Sequence, residues 1–119
     1  MKKLTIFLLF LVTVSFVNPH SFGRFYIEEP FRRGEFGTAY VTIRNNFDKD
    51  LEDVNVKFYI YDLGLKYTSS SSDVEDDDHI MQRLSMPIPK NIYPGVYLTK
   101  ITVGNDDFKD TQHVYLRIV

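Results

Sequence analysis

The chain has no cysteine and no block of basic residues, and it carries only six glycines and five prolines in 119 residues. Without thiols there is no disulfide framework, no nucleophilic cysteine, no thiolate zinc site and no lipid-modified cysteine anchor. Fourteen Lys and Arg stand against sixteen Asp and Glu, for a net charge of -2. That mildly acidic balance argues against nucleic acid as a partner. There is no Asn-x-Ser/Thr sequence for N-glycosylation and no internal repeat. Beyond Asn18, no apolar series at helical spacing continues for about ten residues without a Pro, a Gly or a polar cluster. What the chain does have is aromatic material, eight Tyr and ten Phe, within a 44% apolar composition. This suits one packed domain and excludes disordered, collagen-like and coiled-coil chains.

Lys2 and Lys3 precede an uncharged apolar run from Leu4 to Val17. The run falls short of the about 20 residues that a bilayer-spanning helix needs. It reads as a signal peptide over residues 1–23, stopped by Asn18-Pro19 and cleaved between Gly23 and Arg24, after the small residues of Ser21-Phe22-Gly23. The alternative is an uncleaved, tilted anchor whose Lys2 and Lys3 snorkel to the interface, and only then is the membrane a partner. The expected protein is therefore exported, secreted or at the cell surface, with its working domain over residues 24–119.

That domain reads as strands. From Phe36 to Arg44, Gly37, Ala39, Val41 and Ile43 alternate with Thr38, Tyr40 and Thr42, the period of two of a half-buried strand. Val54, Val56, Phe58 and Ile60 alternate with Asn55, Lys57, Tyr59 and Tyr61 between Asp53 and Asp62. Further strands are expected over Arg24–Glu29, His79–Ile88, Val96–Gly104 and Asp110–Val119, with Leu65–Thr68 as a short edge piece. Ser69 to Asp78, a serine run followed by an acidic stretch, reads as a loop. About seven short strands with turn signals between them predict an all-β, two-sheet antiparallel β-sandwich preceded by the hydrophobic signal segment.

Specific residues carry a resemblance. Val41-Thr42-Ile43-Arg44-Asn45-Asn46 closes the second strand, Asp50-Leu51-Glu52-Asp53-Val54-Asn55-Val56 opens the third, Ile88-Pro89 forms a proline corner, and Tyr93-Pro94-Gly95-Val96-Tyr97 opens the penultimate strand. This pattern resembles the prokaryotic cell-adhesion-related Ig-like domains (the CARDB type) and the Ig-like modules found beside glycosidase catalytic domains. The resemblance covers residues 24–119. It implies a non-catalytic module that binds or adheres, with Tyr97 as a tyrosine corner and Thr99 where disulfide-bonded relatives place a cysteine.

Three sets of residues could carry a ligand. Asp73, Glu75, Asp76, Asp77 and Asp78 could offer oxygens to calcium, although the glycine and glutamate of an EF-hand are missing and a charge run is usually a solvated loop. Calcium is the only cofactor the sequence suggests. Tyr40, Tyr59 and Tyr61 project from outward strand faces and could stack on a glycan or a protein if they share a surface. Asn105, Asp106 and Asp107, with Asn45–Asp50, fall in loops at one end of the sandwich, where Ig-like domains make contacts. His79, Ser69–Ser72 and the aspartates supply the residue types of a hydrolytic triad without a nucleophile elbow. The sequence thus predicts a non-enzymatic module binding a protein or glycan at the cell surface. The alternatives are a structural subunit that self-associates through edge strands or a retained N-terminal anchor, and a small hydrolase built on His79.

Overall fold

Strict alternation of large apolar and polar side chains builds two sheets whose inner faces meet. The computed structural model describes residues 23–119. The predicted signal segment falls outside them except for Gly23. In chain order the strands are β1 (Gly23–Ile27), β2 (Phe36–Arg44), β3 (Leu51–Ile60), β4 (Leu65–Thr68), β5 (Ser72–Val74), β6 (His79–Pro87), β7 (Gly95–Gly104) and β8 (Lys109–Ile118). One antiparallel sheet has the order β1-β2-β6. The other has the order β4-β3-β7-β8, with β5 also paired to β3. Val41 and Ile43, Val56 and Phe58, Leu84 and Met86, Ile101, Leu116 and Ile118 fill the space between the sheets. Among the described residues there is no α-helix.

Gly23 opens β1 opposite Ile43, and its carbonyl accepts a hydrogen bond from Gln112 Nε2 at 3.2 Å. Past β1 the chain leaves the first sheet. Phe31 forms a parallel bridge to Ile118 at the edge of the second, donating to the Arg117 carbonyl at 2.9 Å and accepting from the Val119 N–H at 2.8 Å. The Tyr97 hydroxyl donates to the carbonyl of Tyr93, so the tyrosine corner is present. Thr99 is fully buried.

Three expectations need correction. The sandwich has eight strands, and the extra one, β5, lies inside the predicted loop Ser69–Asp78. Val74, the one apolar residue of the acidic stretch, pairs opposite Leu51 and is 0% exposed. The buried valine, with the Asn45 amide bonded to its carbonyl and Asp73 bonded to the Asp53 N–H, holds a charged segment on the sheet. β4 and β5 together flank nearly the whole length of β3, bending at Ser69–Ser71. There the Ser69 hydroxyl accepts the Val56 N–H at 2.9 Å.

β3 also begins two residues earlier than its alternation suggests. Asp53 has a positive φ of 56° and sits where the register against β5 shifts between Leu51 and Val54. This bulge hides the strand's start from a period-two reading. At the other end β3 stops at Ile60, because Tyr61–Leu63 winds into a 3-10 turn capped by Gly64 in the left-handed region.

Candidate functional site

The outer face of the larger sheet gathers more chemistry than any other described surface. Cross-strand register places Tyr59 of β3 beside Lys66 of β4 and Lys100 of β7, and Lys100 beside His113 of β8. Tyr61, on the 3-10 turn, reaches back over this row. Its ring lies edge-on to Tyr59 at 4.9 Å between centroids and stacks nearly parallel to His113 at 6.0 Å. Its hydroxyl is 3.0 Å from His113 Nε2. The Lys100 ammonium lies 5.9 Å from the centre of Tyr59 and 5.8 Å from that of Tyr61, within range for cation–π attraction.

Beyond this cluster the face hollows into a groove of about 740 Å³. Lys57, Lys66 and Lys100 line it, while Lys109, paired opposite Gly104, stands with Asp53 and Asp106 toward its other end. The Thr102 and Thr111 hydroxyls, 3.3 Å apart, cross the floor between β7 and β8. Gly104 lets the chain turn at that end. Its φ is 152°, and a Cβ there would lie 2.0 Å from the Phe108 carbonyl oxygen.

The predicted tyrosines divide between the two sheets. Tyr59 and Tyr61 share the face just described. Tyr40 lies on the outer face of the smaller sheet, its ring 6.4 Å from that of Tyr26. β2 and β3 belong to different sheets, so the three rings form no common strip.

The loops Asn45–Asp50 and Asn105–Lys109 do meet at one end. The rings of Phe47 and Phe108 are 4.5 Å apart, and Lys49 Nζ sits 4.9 Å from the Phe108 ring. Asn105 shapes this end from within. Its Oδ1 accepts the N–H groups of Asp107 and Phe108 at 2.9 and 2.8 Å, and its Nδ2 donates to the Glu52 carbonyl at 2.9 Å. Asp106 and Asp107 are exposed, and Asp106 borders the groove.

Two of the five carboxylates in the acidic stretch bond backbone N–H groups. Asp73 Oδ1 accepts the Asp53 N–H at 3.0 Å, and Asp78 Oδ1 accepts the His79 N–H at 2.8 Å. Asp50 Oδ1 accepts the Asp76 N–H at 2.8 Å. Asp77 occupies the left-handed region at φ 60°, which aspartate tolerates better than most residues. Glu75 contributes its carbonyl to the turn, accepting the Asp78 N–H at 3.1 Å. Among the described residues no three carboxylate or imidazole side chains come close enough to hold one metal ion.

His79 lies 4.0 Å from the Asp78 carboxylate. The serine hydroxyls nearby have other partners: Ser69 bonds Val56 and the Ser70 carbonyl, and Ser72 accepts from Gln82 Nε2 at 2.6 Å. Ser72 and Gln82 thereby tie β5 to β6 of the opposite sheet.

None of the four lysines stands out in the sequence as a ligand contact. Lys57 shares the phase of Tyr59 and could have been placed beside it. Lys66, Lys100 and Lys109 join that row only through the register of β4, β7 and β8, which one sequence does not reveal.

No protein-family model matches the chain, and no curated protein is significantly similar to it in sequence. Solved structures share its fold. The CARDB domain of a Pyrococcus furiosus protein, solved in complex with di-metal ions, is similar with a TM-score of 0.59 and 11% identity over 82% of this chain and 85% of that one. An alkylpurine DNA glycosylase from Pseudomonas fluorescens, bound to DNA containing an abasic-site analogue, gives 0.56 at 12% identity, covering 82% of this chain and 31% of that one. A family 123 glycoside hydrolase from Clostridium perfringens gives 0.55 at 12% identity, covering 75% and 22%. The chain thus spans less than a quarter of that glycosidase's length. At such identities the likeness is one of fold: this is an antiparallel β-sandwich of CARDB-like form.

Proposed function

We propose that the chain is an exported, non-catalytic Ig-like module of the cell-adhesion-related kind, which binds its partner at the cell surface through the outer face of the larger sheet. One observation carries the reading. Tyr59 and four lysines from β3, β4, β7 and β8 line one concavity, with Tyr61 and His113 packed beside Tyr59 at its edge, whereas no comparable set surrounds the serines or His79. Aromatic rings beside a few polar groups in a concave site are the common make-up of a ligand pocket. The CARDB-like sandwich and the signal-like N-terminus support the same reading, since sandwiches of this kind serve as rigid platforms for surface contacts.

The test is expression of the full chain, followed by intact mass and fractionation. The expected species starts near Arg24, lies outside the cell and binds isolated cell envelopes saturably. Tyr59→Ala and Lys100→Ala should weaken that binding. A full-length mass in the membrane fraction would turn residues 4–17 into an anchor and leave the binding reading in place. Cytosolic retention without saturable envelope binding would contradict it.

A further inference from the structure

We propose that the groove on the larger sheet takes an acidic polysaccharide, a chain of sugar rings bearing carboxylate or sulfate groups. The inference rests on the binding reading above and names its ligand class.

Charge is the first argument. Among the described residues the only ion pair joins His79 and Asp78, so Lys57, Lys66, Lys100 and Lys109 reach the groove without a salt-bridging carboxylate. A chain of net charge -2 thus brings four lysines against two aspartates, Asp53 and Asp106, into one concavity. An excess of one sign of charge in a cleft concentrates the opposite sign and speeds its capture.

The second argument is what else lines the wall. Tyr59 lines the groove and, beside its contacts with Tyr61 and Lys100, offers ring surface to the apolar faces of sugars. Thr102, Thr111 and Asn55 present hydroxyl and amide groups to sugar hydroxyls, and Asp53 and Asp106 can accept from them at the far end.

The third argument is what is missing from the lining. No Leu, Ile, Val or Met side chain faces the groove, whereas protein interfaces are depleted in Lys and enriched in apolar and aromatic residues at their centre. A protein partner fits poorly. Single-stranded nucleic acid would also find rings and cations here, but the domain lacks the overall basicity that such binding relies on.

The experiment measures affinity of the full chain for polygalacturonate, dextran sulfate, neutral dextran, poly-glutamate and oligo(dT) at low salt. At least one acidic polysaccharide should bind about tenfold or more tighter than poly-glutamate, oligo(dT) and dextran. A preference between the two identifies carboxylate or sulfate. The pair Lys57→Gln and Lys100→Gln should weaken binding about tenfold or more. Arg83→Gln, on the other sheet, should leave it unchanged. If the paired variant loses its fold by circular dichroism, Lys66→Gln on the edge strand serves instead.

Equal affinity for poly-glutamate or oligo(dT), no affinity for either acidic polysaccharide, or sensitivity to Arg83→Gln alone would overturn the assignment. Should the polysaccharides fail while the chain still binds cell envelopes saturably, the ligand class falls and the binding module stands. Loss of both removes the module reading as well.

Discussion

Gly37 and Phe31 are packed so closely that a Cβ on Gly37 would lie 2.5 Å from the Phe31 ring. Phe31 is 1% exposed, stacks at 6.4 Å on Phe58 and ties the chain's crossing segment to β8. The glycine in β2 therefore sets the spacing at which the crossing segment joins the two sheets. Gly37→Ala should lower unfolding free energy by about 1–3 kcal/mol through overpacking, and Phe31→Ala by about 3–5 kcal/mol through cavity formation. Urea titration checks both. A Gly37→Ala protein as stable as the parent would show that the ring moves aside at no cost.

Asn45 is the buried polar hub of one end of the sandwich. It is 0% exposed, donates through Nδ2 to the Lys49 and Val74 carbonyls at 2.8 and 2.9 Å and accepts the Phe47 N–H at 2.9 Å. Asn45→Ala leaves these backbone groups unpaired in a buried site and should cost about 3 kcal/mol. Asn46→Ala, at an exposed neighbour, should stay within about 0.5 kcal/mol of the parent. Equal effects from the two would remove the hub.

Calcium should leave stability unchanged. The carboxylates of Asp73 and Asp78 are engaged with backbone N–H groups, and no three carboxylates converge among the described residues. Thermal unfolding curves with calcium and with a chelator should superimpose. A concentration-dependent rise in Tm would mean that Asp73–Asp78 rearranges into a cation site, because a ligand that binds only the folded state must stabilise it.

Tyr67 couples the bent edge strand to the opposite sheet through its hydroxyl, which donates to the Pro87 carbonyl. Burial pushes its phenol above the ordinary value of 10.0. The folded state then holds this proton more tightly than the unfolded chain does. The resulting stability is fully present below pH 10 and is lost as the pH rises toward the folded value. Tyr67→Phe should remove about 1 kcal/mol at neutral pH with the hydrogen bond and flatten the alkaline decline. Guanidinium unfolding at neutral and strongly alkaline pH measures both effects.

Much of the architecture was legible because alternation survives wherever one strand face is buried. β2, β6, β7 and β8 lie within a residue or two of their expected bounds, and Tyr97 makes the corner that its Pro-Gly context suggested. The failures have local physical causes. The bulge at Asp53 breaks the period of two, and β5 offers only one apolar residue, Val74, within a run of charge. The candidate face was half legible. Tyr59 and Tyr61 stood out as aromatics, but the lysines join them only across strands, and register follows from the paired fold. Asn105, a candidate contact from the sequence, also builds the loop that carries Asp106.

The central claim is that ligand sits on the outer face of the larger sheet, and amide chemical-shift mapping of the full chain during titration with polygalacturonate tests it most directly. Shifts are expected at Lys57, Tyr59, Lys100, Thr102 and His113, with Tyr26, Tyr40 and Arg83 unmoved. Saturable shifts confined to the smaller sheet, or to the Asp73–Asp78 segment, would contradict the account.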